Sequence, residues 1–445
     1  MQFITWLDYL LLPVFIFFIY RVGYLICNKY YPAGHPWRKY FLYGLGLKIT
    51  GAIFIGLIYQ YYYKGGDTAY YFYHAEIINS SLSDSFTKWI NLIFHIPDAY
   101  NGDYFNYTYK MEWYNDKSSY MICCITAFFG IFTLNTYLPT SILFAFLSFS
   151  GGWAMFRTFA QQYPSLIRYI AIAMLFIPSC LIWGSGIFKD TICMFALGWM
   201  LFSSFQLLIQ RNMSLKNIVI LIISFYILLV IKVYILISFL PALALWILFY
   251  YSHKIKPVFI RFFAKILVVV AALVMFGAVY VNYSSSLGKY SLDQIAKTSL
   301  VTRDWIAYSS GDQGSSYDLG EFEPNIQGLI SKFPQAVNVT LFRPYLWEAN
   351  KSLVFLNALE ALVFLFLTLK ILFTIGPVKI WKSISSDPNI QFCLIFSIVF
   401  AFSVGVSTYN FGALSRYKIP CLPLYLLALV LIYYKHNPPS KKFFL

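Results

Sequence analysis

Long apolar runs separated by short polar segments set the pattern of this chain. Eleven runs approach the roughly 20 apolar residues a helix needs to cross a bilayer. They lie near 4–27, 40–62, 138–157, 168–183, 190–209, 217–231, 234–252, 262–283, 353–373, 391–409 and 417–434. The pattern predicts an all-α polytopic membrane protein of about eleven transmembrane helices. A further run, Tyr120 to Leu134, is shorter and reads as a half-membrane or interfacial helix. Phe86, Trp89, Ile90, Ile93 and Phe94 recur at helical spacing, with Lys88 and Asn91 off the stripe. That spacing predicts a helix lying along the membrane surface. The first run contains Asp8 but neither a basic leader nor a small-residue cleavage site, so a retained span is expected.

Composition agrees with this reading. The 445 residues are 60% hydrophobic, 21% aromatic and only 11% charged. Soluble domains carry about 25% charged residues, which excludes a soluble globular enzyme and a disordered chain. The net charge of +15 would suggest a nucleic-acid partner in a soluble protein, but here its distribution decides. The segments 28–40, 157–168, 210–217, 253–265, 370–390 and 435–445 hold 17 Lys and Arg and one acid, Asp387. Nearly all other acids fall in the alternate segments, seven in 64–118 and seven in 284–352. Short basic loops stay cytoplasmic. The N-terminus is therefore expected outside, the C-terminus inside, and both long loops on the outer face.

One integral membrane domain, 1–445, is expected, with 64–118 and 284–352 as its two outer loops. The chain shows no internal repeat and no inverted pair of broken helices, a frequent feature of secondary transporters. Seven cysteines, mostly inside apolar runs and without a C-x-x-C pair, give no disulfide framework and no zinc site. Nucleotide-loop, H-E-x-x-H and Ser-His-Asp patterns are missing, so ATPase, zinc protease and serine hydrolase have no support.

The first outer loop opens Lys64-Gly65-Gly66-Asp67-Thr68-Ala69-Tyr70-Tyr71-Phe72-Tyr73-His74. Two glycines allow a sharp turn out of the second span. Asp67 then suits an N-cap, with Tyr70, Tyr71 and His74 following on one helical face. A carboxylate at a membrane-edge helix start, ringed by aromatics, is a candidate catalytic base. The plain alternative is a helix cap and nothing more. For His74 the plain alternative is a packed core histidine, because no second metal ligand lies nearby.

A span followed by a Gly-Asp-x-x-x-Tyr segment that opens a long outer loop resembles the GT-C glycosyltransferases. These include the protein O-mannosyltransferase and aminoarabinose transferase families, which use polyprenyl-phosphate sugar carriers. Three later segments share the resemblance: Phe128-Phe129-Gly130 before Leu138-Pro139-Thr140-Ser141, Gly186-Ile187-Phe188-Lys189-Asp190, and Arg416-Tyr417-Lys418-Ile419-Pro420-Cys421-Leu422-Pro423. The chain departs from the family in two ways. It has an extra span before the loop, and Gly66-Asp67-Thr68 replaces the usual paired acids. The 284–352 loop more distantly resembles the long loop of O-antigen polymerases and ligases.

The resemblance implies a lipid-phosphate donor whose leaving charge is held by cations at the water–lipid boundary. Lys189, Lys232, Arg343 and Arg416 are the expected donor-phosphate residues. Lys232 lies between two apolar runs and should pair or line a cavity, with Glu360, Asp190 or a ligand phosphate as partner; snorkelling to the interface is the plain alternative. Arg343-Pro344-Tyr345-Leu346-Trp347-Glu348 combines a guanidinium, two aromatics and a carboxylate, which suits a sugar phosphate and equally an interfacial belt. Asp67 is the expected base, with Tyr70, Tyr71, His74, Asp190, Trp347 and Glu348 around the substrate.

The expectation is a glycosyltransferase of the bacterial inner membrane, working at the outer face on a cell-envelope glycan, lipid or protein acceptor. Its partners are then membrane lipids, a polyprenyl-phosphate sugar donor and that acceptor, with no nucleic acid. No cofactor is called for, and a divalent metal stays open. An O-antigen-type polymerase and a transporter of lipid-linked sugar or small molecules are the alternatives.

Overall fold

In a bilayer every backbone N–H and C=O must find its partner within the chain, which leaves helices as the solution for apolar runs of this length. The computed structural model describes residues 2–252, 292–310 and 315–438. The predicted span 262–283 lies outside them. Among the described residues the regular structure is helical, with one isolated bridge between Ser316 and Asn410. The residues divide into two compact units, Met1–Leu207 with Asn212–Val233, and Leu208–Arg211 with Tyr234–Leu445.

The first unit runs α1 (Trp6–Tyr30), α2 (Arg38–Leu57, continuing to Tyr62 as a π turn), α3 (Asp67–Ser80), α4 (Phe86–Ile93), α5 (Phe105–Thr108) and α6 (Lys117–Phe132). It continues with α7 (Tyr137–Ala160), α8 (Ile167–Leu175), α9 (Pro178–Trp183), α10 (Lys189–Ser204, continuing to Ile209) and α11 (Leu215–Ile231). Helix α7 forms the centre, packed by α1, α2 and α10, while α10 also packs α11 and α3 packs α6. Gly151 and Gly198 make the α7–α10 approach possible, since a Cβ on Gly198 would collide with the Gly151 carbonyl. Small residues at the crossing are how helices gain contact where lipid offers no hydrophobic drive.

The acid in the first span has a structural cause. Asp8 is buried, and its Oδ1 accepts a 2.8 Å hydrogen bond from Leu138 N in the first turn of α7. Its Oδ2 accepts from Thr5 N at 2.8 Å. One carboxylate thus closes two helix starts, where negative charge is favoured. The expected continuous span 168–183 is instead two short helices. Pro178 at the start of α9 fixes an N-terminal turn and pushes Ile177 into an extended conformation, which ends α8 at Leu175.

The second unit contains α12 (Val233–Ser252), α13 (Leu292–Ser310), α14 (Ile326–Ser331), α15 (Phe333–Phe342), α16 (Ser352–Ile375), α17 (Pro377–Ser386), α18 (Pro388–Thr408), α19 (Phe411–Tyr417) and α20 (Leu422–His436). Here α18 is central, with α15, α20 and α13 against it. Helices α19 and α20 bend by 67° across Lys418–Cys421, before Pro423.

Seven described helices are long and apolar enough to cross a membrane: α1, α2, α7, α10, α12, α16 and α18; the bent pair α19–α20 makes an eighth. The protein is an all-α integral membrane protein. Helices α6 and α11 are apolar but shorter.

Candidate functional site

The π turn that ends α2 delivers the chain into three successive residues of positive φ: Lys64 (56°), Gly65 (147°) and Gly66 (109°). Glycine is required at Gly66 twice over, because a Cβ there would also sit 2.9 Å from the Tyr59 ring. Lys64 adopts this region without being glycine, a strained conformation of the kind that clusters at functional sites. Gly66 itself is the N-cap of α3. Asp67 is therefore the first helical residue and not the cap the sequence suggested. Its carboxylate still sits at the positive end of α3.

This turn forms one wall of an open cavity of about 470 Å³, lined by Tyr59, Tyr63, Lys64, Gly65, Gly66, Asp67 and Tyr70. Behind it Tyr59 packs on Phe188 at 5.3 Å, which fixes the start of α10. The first residue of α10 is Lys189. Its Nζ donates to Ser118 Oγ at 2.6 Å, lies 3.4 Å from Asp116 Oδ2, and is within electrostatic reach of Asp67. Burial of Asp116 opposes its ionisation, but hydrogen bonds from Ser119 and Ser118 and the Lys189 charge outweigh it and bring the carboxyl down to about 2. An acid, an acid–base pair and a second cation, Lys64, therefore share one neighbourhood.

A second ion pair lies deeper. Lys232 Nζ is 2.5 Å from Asp190 Oδ1, with side chains only 9% and 2% exposed. Asp190 was among the partners expected for Lys232, and the two form this ion pair. Both residues are interior, so the pair organises the ends of α10 and α11 and neither group lines the cavity. Lys48 is another interior cation, unsuspected from sequence. Its three protons go to Ser148 Oγ (3.0 Å), Cys180 O within α9 (2.8 Å) and Gly184 O at the C-cap of α9 (2.8 Å).

Of the aromatic residues expected around Asp67, Tyr70 lines the cavity and packs on Trp113 at 5.4 Å. Tyr71 is buried against the same indole at 4.8 Å. His74 is buried too, with Trp113 and Tyr70 on its ring and Cys123 Sγ 3.8 Å from Nδ1. Burial lowers its pKa to about 4, so it is neutral at neutral pH. Its place is the core. No family model, no curated protein and no solved structure matches this chain.

The remaining expected residues belong to the second unit. Arg343 grips Glu348 with both arms of the guanidinium, Nε lying 3.0 Å from Oε2. Glu348 also accepts from Tyr345 N at 2.8 Å. Partial burial raises its pKa, but the Arg343 contact prevails and holds the carboxyl below its ordinary value. The bidentate fork expected for a phosphate is thus occupied by a carboxylate. The guanidinium also lies 5.4 Å from the Phe411 ring centre on α19, the helix whose last turn carries Arg416. Trp347 stacks on Tyr345 at 4.9 Å yet is 80% exposed.

Sequence reasoning missed Lys64, Asp116 and Lys48. Lys64 stood beside the glycine pair, and its neighbours were the available signal. Asp116 is 73 residues from Lys189 and gave none. Among the described residues, no three His, Cys, Asp or Glu side chains gather as a metal site would need.

Proposed function

We propose that the protein is a membrane-embedded glycosyltransferase, taking a sugar from a polyprenyl-phosphate carrier and passing it to a cell-envelope glycan, lipid or protein acceptor. The observation that carries this reading is Asp67 in the wall of an aromatic-lined cavity, with Lys64 in the same wall and the charge of Lys189 within reach. Aromatic faces suit sugar rings, lysines suit a phosphate, and a carboxylate suits an attacking hydroxyl.

In the proposed step the acceptor oxygen attacks the anomeric carbon, and its proton passes to the Asp67 carboxylate. The bond from that carbon to the carrier oxygen breaks, its electron pair leaving with the carrier phosphate. Lys64 and Lys189 offset the charge that develops there. Lys232, paired with Asp190 next to Lys189, holds the start of α10 in place, and Arg343 and Arg416 of the other unit are separate proposed phosphate-directed cations. The proposed architecture is GT-C-like with eleven spans: the seven long helices, the bent α19–α20, the broken α8–α9, α11 and, outside the described residues, the run 262–283 expected from the sequence. The basic loops then face the cytoplasm of a bacterial inner membrane, and the Asp67 cavity opens outward.

A transporter is the second reading. It is favoured by the two broken spans, α8–α9 in one unit and α19–α20 in the other, since discontinuous helices mark transport sites. One experiment separates the two. Purified protein is given a polyprenyl-phosphate-linked sugar and an acceptor, and both product and free carrier phosphate are followed. The transferase reading expects both to appear together. Movement of intact lipid-linked sugar across liposomes without bond cleavage would refute it.

A further inference from the structure

Helix α17 joins α16 to α18 and is strongly two-sided. Ser383 is buried, and Ile380 and Ile384 are half-buried on the inner side. On the outer side Val378 is 68% and Trp381 is 70% exposed, flanked by exposed Lys379 and Lys382. The apolar exposure continues along α16 through Phe366 and Phe373, surface that lipid would cover on a membrane-spanning helix. At the same end of this unit, Lys435 in the last turn of α20 donates to Ser386 Oγ at 2.7 Å, and His436 Nε2 is 2.8 Å from Ser383 Oγ. Lys379, Lys382 and Lys435 make no ion pair among the described residues. The one acid of the segment, Asp387, accepts from Asn389 N at 2.9 Å as the cap of α18.

Three cations without an acid, beside an exposed Trp and Val at the end of a lipid-facing surface, fit an amphipathic helix at a membrane boundary. We infer that α17 with Lys435 is a docking site for anionic phospholipid headgroups. Val378 and Trp381 seat among the acyl chains, while Lys379, Lys382 and Lys435 meet the phosphates. The inference uses the membrane-spanning fold and does not rest on the transferase reading. Each lysine near an anionic surface is expected to favour binding about fivefold.

The test uses the full chain in detergent, titrated with phosphatidylglycerol or phosphatidylcholine, the first bound lipid being followed by native mass spectrometry. The expected result is at least a tenfold preference for phosphatidylglycerol, reduced by high salt. The variant K379Q/K382Q/K435Q should bring that preference below about threefold. K379R/K382R/K435R should keep it, which separates charge from any loss of fold. Equal binding of the two lipids by the wild-type chain, or an unchanged preference in the Gln variant, would overturn the inference.

Discussion

Lys48 and Gly184 are joined by a 2.8 Å hydrogen bond from ammonium to carbonyl, across 136 residues of sequence. With Cys180 O and Ser148 Oγ it uses all three ammonium protons, and two of its acceptors are backbone carbonyls, one within the short helix α9 and one at its C-cap. The lysine acts as the C-terminal cap of a helix in another part of the chain. The turn it pins leads through Phe188 to Lys189.

Lys48→Met should therefore destabilise the protein by about 3 kcal/mol or more, given about 1.5–3 kcal/mol for a hydrogen bond to a charged group. Chemical unfolding in detergent measures this. Unchanged stability would show that the cap is dispensable.

The Lys232–Asp190 pair gives a second prediction. Removing one member of a buried pair strands the other and costs about 3–5 kcal/mol. Lys232→Met and Asp190→Leu should each show a loss of that order, while the double variant should recover much of it. A double-mutant cycle on unfolding free energy reads the coupling. Additive losses would contradict the pairing.

His74 gives a pH dependence. Its folded pKa of about 4 lies below the ordinary 6.5, so the stabilisation is full above about pH 6.5. As pH falls from 6.5 towards 4, the unfolded chain takes up a proton that the folded chain refuses. Stability should drop by up to about 1.4 kcal/mol per pH unit in that window. His74→Phe should flatten the slope. A slope that persists in the Phe variant would assign it to another group.

The long apolar runs made most spans legible, because a span is a local property of composition. Helices α1, α2, α7, α10, α12, α16 and α18 begin and end close to the runs that predicted them. The break in 168–183 was written in Pro178, but continuous apolarity hid it. The stripe at 86–94 does form α4, yet Trp89 turns inward to bond Asn79 Oδ1 at 2.9 Å while Phe86 and Phe94 stay exposed. Hydrophobic spacing cannot tell those two surroundings apart. Asp67 was legible from the glycines before it. The partners Lys189–Asp116 and Lys48–Gly184 were not, since contacts over such separations leave no mark in a single sequence.

The central claim is that Asp67 takes the acceptor's proton, and Asp67→Asn tests it most directly. Asparagine is nearly isosteric, so at this first helical position unfolding free energy should change by no more than the roughly 0.3–1 kcal/mol of the lost charge–dipole attraction. The measurement is the rate at which the purified variant releases carrier phosphate from a polyprenyl-phosphate-linked sugar in the presence of acceptor. The account predicts a fall of about 10²–10⁴-fold relative to the unaltered protein at matched stability. A variant that releases carrier phosphate at the unaltered rate would contradict it.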